Sequence, residues 1–453
     1  MIKIPDKKVT IIGAGMGGSL LAIYLARRNF EVDIYESRDC LENLPVVSHK
    51  SINQSLCVRG IRALQDVRMW DEVKKLATRE TGRVIHQKNN LLYQAYGERQ
   101  GFSEWSINRN DLNRALIAEM KKYPSIAVHY GEQCAEIDFE KRTILLENQQ
   151  TKERRIIHVS LLIGADGRHS AVRQEMERQK LTEVQFDMLD WGYKNIYIPA
   201  PAEGSLPFRT DAFHLWSKKR AAIFGIPNRS GFFTATITLP VTGPKSFETL
   251  TTHESLTAFF EELCPDLAPY VAHYGNDFLN QPVTPFSTLF TSQWYYRDFC
   301  LLLGDAAHAM TIFYGQGINA AFEDCRAFAE CLDRYYPDVE TVFKMVQARR
   351  KPHTDVAARA CLKRFVELRD KYESPFFVAR SSVEIALEKY FPDSFHSLYT
   401  LIVHTTMSYG NAYKRYKKER RFARLLGMDV LVILMTIREV VRTMWHAMRS
   451  QNA

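Results

Sequence analysis

The chain has 453 residues, 46% of them hydrophobic, and a formal net charge of +8. That supplies a large core for two or three structural units and excludes a disordered or low-complexity chain. The charge is local: residues 411–424 hold seven basic residues against one acid, so this segment carries +6 of the total, which argues against a general nucleic-acid surface.

The first strand begins by Val9, which leaves no room for a signal or transit sequence ahead of it and implies a cytoplasmic protein. Eight cysteines, at 40, 57, 134, 264, 300, 325, 331 and 361, show no CxxC pair or metal-ligand spacing and read as reduced, mostly buried thiols. Val9-Thr10-Ile11-Ile12 runs into Gly13-Ala14-Gly15-Met16-Gly17-Gly18, then an apolar-periodic helix from Leu20 to Phe30, then a second strand from Val32 to Tyr35 closed by Glu36. This is a βαβ dinucleotide-binding unit. Gly13 permits the tight turn, Gly15 lets backbone approach a pyrophosphate, and Gly18 brings helix close to strand, with phosphates at the helix N-terminus. Glu36 is placed to accept from ribose hydroxyls, which suits FAD or NAD and repels a 2′-phosphate.

Two more glycine-acid motifs follow short apolar strands. Leu161 to Ile163 leads into Gly164-Ala165-Asp166-Gly167, and Phe299 to Leu303 leads into Gly304-Asp305-Ala306-Ala307-His308. Asp305 can accept from the ribityl chain of a flavin. A helix opening at Gly315-Gln316-Gly317-Ile318-Asn319 can aim backbone N–H groups at the flavin ring. In this order and spacing the three motifs describe one FAD site. His308 reads as part of the loop architecture, and no metal, catalytic cysteine or Ser-His-Asp set is needed.

Across nearly its whole length the chain resembles the single-component FAD-dependent aromatic monooxygenases of the para-hydroxybenzoate hydroxylase superfamily. Lys50-Ser51-Ile52-Asn53, Trp105-Ser106-Ile107-Asn108-Arg109 with Leu112-Asn113-Arg114, and Leu303 to His308 resemble the kynurenine 3-monooxygenase family in particular. The resemblance implies an α/β fold: a Rossmann-like FAD-binding domain of the glutathione-reductase type, an antiparallel-sheet substrate domain and a C-terminal helical region. It implies that Asp166 and Gly167 serve both FAD and NADPH, and it adds Arg38 and Arg109 to the cofactor-binding candidates. The implied chemistry is reduction of FAD by NADPH, addition of oxygen to give a flavin hydroperoxide, and hydroxylation of an electron-rich ring, L-kynurenine to 3-hydroxykynurenine. The protein then supplies position and dryness rather than a catalytic side chain.

By the same resemblance Arg83, Tyr96 and Tyr409 hold the amino-acid end of the substrate, Arg83 as a bidentate carboxylate clamp. Phe313 and Tyr314, beside the flavin loop, are the expected aromatic wall. Departures bear on the substrate. Arg364-Phe365-Val366-Glu367-Leu368 stands where the family has Asn-Tyr-x-Glu-Met, Thr238 where it has a pocket phenylalanine, and Ile312-Phe313 where it has Pro-Phe. Arg364 can strengthen carboxylate binding, fill the pocket or select a different acid. A monooxygenase of another aromatic acid therefore stays open, as does a non-enzymatic membrane-bound flavoprotein. The Trp-x-Trp-x-Ile-Pro segment of a flavin-dependent halogenase is absent; Trp191 to Ile196 does not match it.

The FAD-binding domain is expected from residues 1–75, 99–180 and 290–350, and the substrate domain from 76–98 and 181–289. The latter has strands at Arg83 to His86, Leu91 to Tyr96, Asn195 to Ile198, Ala221 to Ile226 and Phe232 to Leu239. Residues 351–424 read as helices broken at Ser374-Pro375 and Phe391-Pro392. Residues 425–453 are a candidate membrane-associating tail. The apolar run from Leu425 to Ile437 is roughly 20 Å long at about 1.5 Å per residue, short of a ~30 Å hydrocarbon core, and it contains Asp429. Led by the polybasic segment, it reads either as a helix in a membrane interface or as one docked on the body.

Overall fold

The computed structural model of the chain describes residues 7–40, 52–87, 90–97, 101–199, 208–218, 221–229, 231–371, 374–425 and 427–436. Lys50, Ser51 and tail residues 437–453 lie outside the described residues.

The β-branched run at the N-terminus becomes strand Lys8–Ile12 near the middle of a six-stranded sheet. Its order is Tyr295–Tyr296, Cys300–Leu302, Leu162–Gly164, Lys8–Ile12, Glu31–Glu36, Ile126–Tyr130. Every pair is parallel except the short edge strand Tyr295–Tyr296. Leu162–Gly164 and Cys300–Leu302 are buried throughout, as parallel strands covered on both faces require. Ile12 pairs with Gly164, and Gly164 with Leu302, so all three glycine-acid motifs leave the sheet at one carboxyl edge. Ligands of open α/β sheets bind at that edge. Helix Met16–Ala26, buried from Gly18 onward, packs between this sheet and helix Gly317–Tyr335.

A seven-stranded sheet stands over the same edge, in the order Thr284–Thr291, Val184–Ile198, Phe233–Pro240, Ala221–Pro227, Ala212–Lys218, Gly82–Gln87, Asn90–Ala95. It is antiparallel apart from one joint, where Gly82–Gln87 runs parallel to Ala212–Lys218 because the hairpin arrives from a distant part of the chain. Its far face buries Phe233, Ile237 and Leu239 against helices His253–Leu263 and Ala268–Asn280. A small three-stranded sheet, Asn53–Leu56, Glu104–Asn108 and Thr78–Glu80, links helix Gly317–Tyr335, which Asn53–Leu56 contacts, to strand Ala212–Lys218, which Thr78–Glu80 contacts. All eight cysteines are free thiols and seven are buried.

The expected boundary at 350/351 falls inside one helix, Val339–Asp370, which continues through Pro352. Proline in a helix interior costs about 3 kcal/mol in lost hydrogen bonding and steric conflict. Here Val342, Phe343 and Val346 before it and Ala357, Cys361 and Phe365 after it are all buried, and this packing overrides the local penalty. The later breaks fall where proline puts them: Ser374 and Pro375 open helix Pro375–Tyr390, which ends at Phe391. Helices Leu398–Val403 and Tyr409–Leu425 follow.

In the tail, Met428 and Val432 pack on Ala379, Val383 and Phe395, while Leu425, Val430, Leu431, Ile433 and Leu434 are exposed. One side is docked and the other is bare. Among the described residues no helix is long and apolar enough to cross a membrane.

Candidate functional site

A cavity of about 780 Å³ runs along the carboxyl edge of the parallel sheet to the underside of the seven-stranded one. Gly13 adopts φ +102°, and a Cβ there would lie 2.7 Å from the Ala165 carbonyl oxygen, so only glycine fits this turn. Gly15 has open space where a Cβ would be, beside the N-terminus of helix Met16–Ala26, whose N–H groups no side chain caps. That leaves a cradle for a pyrophosphate. Gly18 does not line the cavity; a Cβ on it would meet the Gly13 carbonyl oxygen at 2.0 Å, so it sets the contact of helix on turn.

Glu36 closes its strand 6% exposed. One carboxylate oxygen accepts the Ala14 N–H at 2.9 Å; the other accepts the Arg38 backbone N–H at 3.0 Å and Nε at 2.8 Å. Burial pushes its pKa up, but the Arg38 hydrogen bonds and charge, with the Ala14 N–H, outweigh that and hold it below the usual carboxylate range. The result is an ionised acceptor on the cavity wall, as a ribose diol requires.

Asp166 Oδ2 accepts the N–H groups of Ala171 at 2.7 Å and Val172 at 3.3 Å, at the start of helix Ala171–Arg178. Its Oδ1 is buried with no hydrogen-bond partner among the described residues. Asp305 follows Gly304, which takes φ +61°, and its side chain is exposed to the cavity. Desolvation raises the pKa of both acids; at Asp305 the charges of His308 and Arg109 pull the other way. An unsatisfied buried acceptor and a desolvated one, both on the cavity wall, suit a hydroxyl-rich ligand chain. These donors, acceptors and glycine spaces fit FAD. Arg38 and Arg109 line the same cavity.

The flavin loop divides its labour. Gly315, Gly317 and Ile318 line the cavity, whereas Gln316 and Asn319 do not. Asn319 is fully buried: its Oδ1 accepts the Cys57 N–H at 3.0 Å, and its Nδ2 donates to the carbonyls of Ser55 at 2.7 Å and Gly315 at 2.8 Å. Gln316 accepts from the Tyr409 hydroxyl at 3.0 Å. These two side chains hold the loop from behind.

At the far end Phe313 packs against Phe286, Phe365 and Phe224 and forms, with Tyr314, part of an aromatic wall. Arg83 lies half-buried with its Nε donating to Gln94 at 2.8 Å, and Tyr96 is 8% exposed beside it. Arg364 reaches the same end, 3.5 Å from Glu367.

Two expected substrate residues stand elsewhere. Tyr409 is fully buried under the Arg59 guanidinium, 4.2 Å from its ring centroid, and does not reach the cavity. The tyrosine from the C-terminal helices that does is Tyr399, on helix Leu398–Val403, with its ring 5.9 Å from that of Tyr96 and under the Arg83 guanidinium at 5.5 Å. Nothing local separates two tyrosines ten residues apart; the packing of their helices does. Thr238 is 1% exposed, donates to the Ala222 carbonyl at 2.7 Å and does not line the cavity, whereas Thr236 and Phe224 do. Glu104, absent from the sequence reading, also lines this end.

Comparison with known proteins agrees with this geometry. The FAD binding domain family matches residues 6–337. Kynurenine 3-monooxygenase of Salinispora tropica is 34% identical over 429 residues, 94% of each chain. That of Legionella pneumophila (strain Lens) is 34% identical over 409 residues, 90% of each. Among solved structures, the Y270F mutant of MHPCO superposes with a TM-score of 0.67 at 18% identity, covering 84% of this chain and 95% of that one, a likeness of fold.

Proposed function

The chain belongs to the kynurenine 3-monooxygenase family of FAD-dependent aromatic monooxygenases, and from that premise we propose that it hydroxylates L-kynurenine to 3-hydroxykynurenine, consuming NADPH and oxygen. The observation that carries this reading is the continuity of one cavity from Glu36 to Arg83, with acceptors for a dinucleotide at one end and an aromatic wall with a guanidinium at the other. FAD, when bound, supplies the redox chemistry and the activated oxygen.

In this reading the chain's own residues bind, orient and keep water out. Gly13, Gly15, Glu36, Arg38, Arg109, Asp166, Asp305, Gly315, Gly317 and Ile318 hold the cofactor. Arg83, oriented through Nε by Gln94, presents its guanidinium to the substrate carboxylate, with Tyr96 and Tyr399 beside it. Phe313, Phe224 and Phe286 press on the aromatic ring, fixing its distance from the flavin and excluding water from the reacting end.

The test is NADPH consumption by the FAD-loaded protein with and without L-kynurenine, with mass analysis of the product. Stimulation with a product one oxygen heavier supports the reading. Stimulation with hydrogen peroxide alone makes kynurenine an effector. No stimulation moves the search to other aromatic acids, with Arg364 on the cavity wall as the group whose carboxylate partner is sought.

The exposed Leu425, Val430, Leu431, Ile433 and Leu434, behind a polybasic helix, support peripheral membrane contact of a cytoplasmic enzyme. Co-sedimentation with anionic but not neutral vesicles is the expected outcome; equal recovery with both, or with neither, overturns it.

A further inference from the structure

Glu80 and Glu104 stand directly opposite each other in the small three-stranded sheet, on strands Thr78–Glu80 and Glu104–Asn108. They are 2% and 5% exposed. Like charges placed opposite on neighbouring strands repel, and burial sharpens the repulsion. A sheet that needed only packing at this point would be served better by two apolar residues.

The pair is resolved by holding one proton. Burial first, and the charge of Glu104 second, push the pKa of Glu80 well above the carboxylate range, so Glu80 stays neutral. Glu104 is the charged member by its contacts. Its Oε1 accepts the Tyr399 hydroxyl at 2.5 Å and its Oε2 accepts the Ser55 hydroxyl at 2.8 Å, so both oxygens are held as acceptors. Among the described residues no lysine or arginine forms an ion pair with it; its nearest basic group is His404, with Nε2 3.9 Å from Oε1. Burial, and after it the Arg83 charge, lower the His404 pKa against the pull of Glu104, so His404 is neutral near pH 7.

A buried carboxylate thus lines the end of the cavity that also holds Arg83, Tyr96 and Tyr399, and among the described residues no lysine or arginine pairs with it. A guanidinium and a carboxylate at one end of a cavity are the complement of a zwitterion. We propose that Glu104 binds the α-ammonium of the substrate while Arg83 takes its carboxylate, so that the site selects aromatic α-amino acids over aromatic acids lacking the amino group. The proposal rests on the assignment of Arg83 to the substrate carboxylate. Ser55 and Tyr399 act as positioning residues that fix the carboxylate, and Tyr399 links the two charged groups, lying under Arg83 and bonded to Glu104.

The experiment titrates the FAD-loaded protein with L-kynurenine and with its desamino analogue, 4-(2-aminophenyl)-4-oxobutanoic acid, following flavin absorbance and NADPH consumption. The parent protein is expected to prefer the amino acid. Glu104→Gln is expected to raise Kd and KM for L-kynurenine about 10- to 100-fold and those for the analogue by less than about 2-fold, which erases the preference. An equal loss for both ligands assigns Glu104 a merely structural role and overturns the proposal, as does a parent protein without preference. Should Glu104→Gln fail to fold, Glu104→Asp retracts the carboxylate by one methylene and is expected to reduce the preference; an unchanged preference overturns the proposal. If neither ligand perturbs the flavin of the parent protein, the kynurenine reading falls and this proposal with it.

Discussion

Arg350 and Asp324 form a buried ion pair directly behind the loop that carries Asp305, with Nε 2.6 Å from Oδ1 and side chains 5% and 0% exposed. Asp324 Oδ2 accepts from His308 Nε2 at 2.6 Å and from the Gly304 N–H at 3.1 Å. Glu323 joins Arg350 at 2.7 Å to Arg59 at 3.0 Å, and Arg59 in turn covers Tyr409 and donates to the Ile402 carbonyl. One network therefore ties both halves of the flavin loop to the C-terminal helices. Breaking a buried pair from one side costs about 3–5 kcal/mol because the remaining charge stays desolvated. Asp324→Asn is expected to lose stability of this order in denaturant unfolding and to release FAD more readily. Unchanged unfolding and unchanged FAD retention would show the network to be dispensable.

Glu36→Ala removes an ionised acceptor from the cavity wall and leaves the Ala14 N–H without its partner. A hydrogen bond to a charged group contributes about 1.5–3 kcal/mol, so FAD affinity is expected to fall about 10- to 100-fold, with recovery at excess FAD. Equilibrium dialysis measures it; an unaltered Kd refutes the ribose role.

What was legible in the chain follows from how far each feature reaches. Gly13, Glu36, Asp166 and Asp305 stand on the cavity wall where their motifs put them, because each position is set by a backbone conformation and by strand ends a few residues away. The opposition of Glu80 and Glu104 was not legible, since it depends on the register of strands 24 residues apart in sequence. Tyr399 was missed for a related reason: its place is decided by how helix Leu398–Val403 sets its ring beside Arg83 and Tyr96, not by any signal around it. The boundary expected at 350/351 is absent because the local penalty of Pro352 yields to the packing of a long helix.

The two tyrosines separate experimentally. Tyr399→Phe takes a donor from Glu104 at the cavity and is expected to raise KM for the aromatic amino acid several-fold, about 1 kcal/mol, without changing FAD retention. Tyr409→Phe leaves the buried Gln316 Oε1 without this donor and is expected to cost about 1–3 kcal/mol of stability with KM unchanged. The reverse pattern in steady-state kinetics and thermal unfolding would restore Tyr409 to the substrate site.

Arg83→Ala is expected to raise the substrate concentration required for half-maximal NADPH oxidation by about one to two orders of magnitude, the loss of one charged hydrogen-bonding partner. Basal oxidation without substrate should stay at the parental rate. A negligible effect shifts the carboxylate clamp to Arg364, which lines the same end of the cavity.

Acid sensitivity is expected from the seven-stranded sheet. His214 is 1% exposed, its Nδ1 lies 2.8 Å from His86 Nε2, and the other face of His86 meets Asp266 at 2.7 Å. Burial pushes the His214 pKa down to about 4; the His86 charge acts in the same direction, and the Arg209 carbonyl and Asp266 act against it. The folded value therefore lies below the unfolded value near 6.5. Between these limits the unfolded chain binds more protons, so stability is complete above about pH 6.5 and is lost as pH falls toward 4. The shift corresponds to roughly 3 kcal/mol at the low end of the window. Unfolding free energies measured across pH 4–7 should decline accordingly in the parent protein, and His214→Gln should flatten that decline by removing the titrating group. An equally steep decline in the variant would place the acid sensitivity in the carboxylates of the ion-pair networks instead.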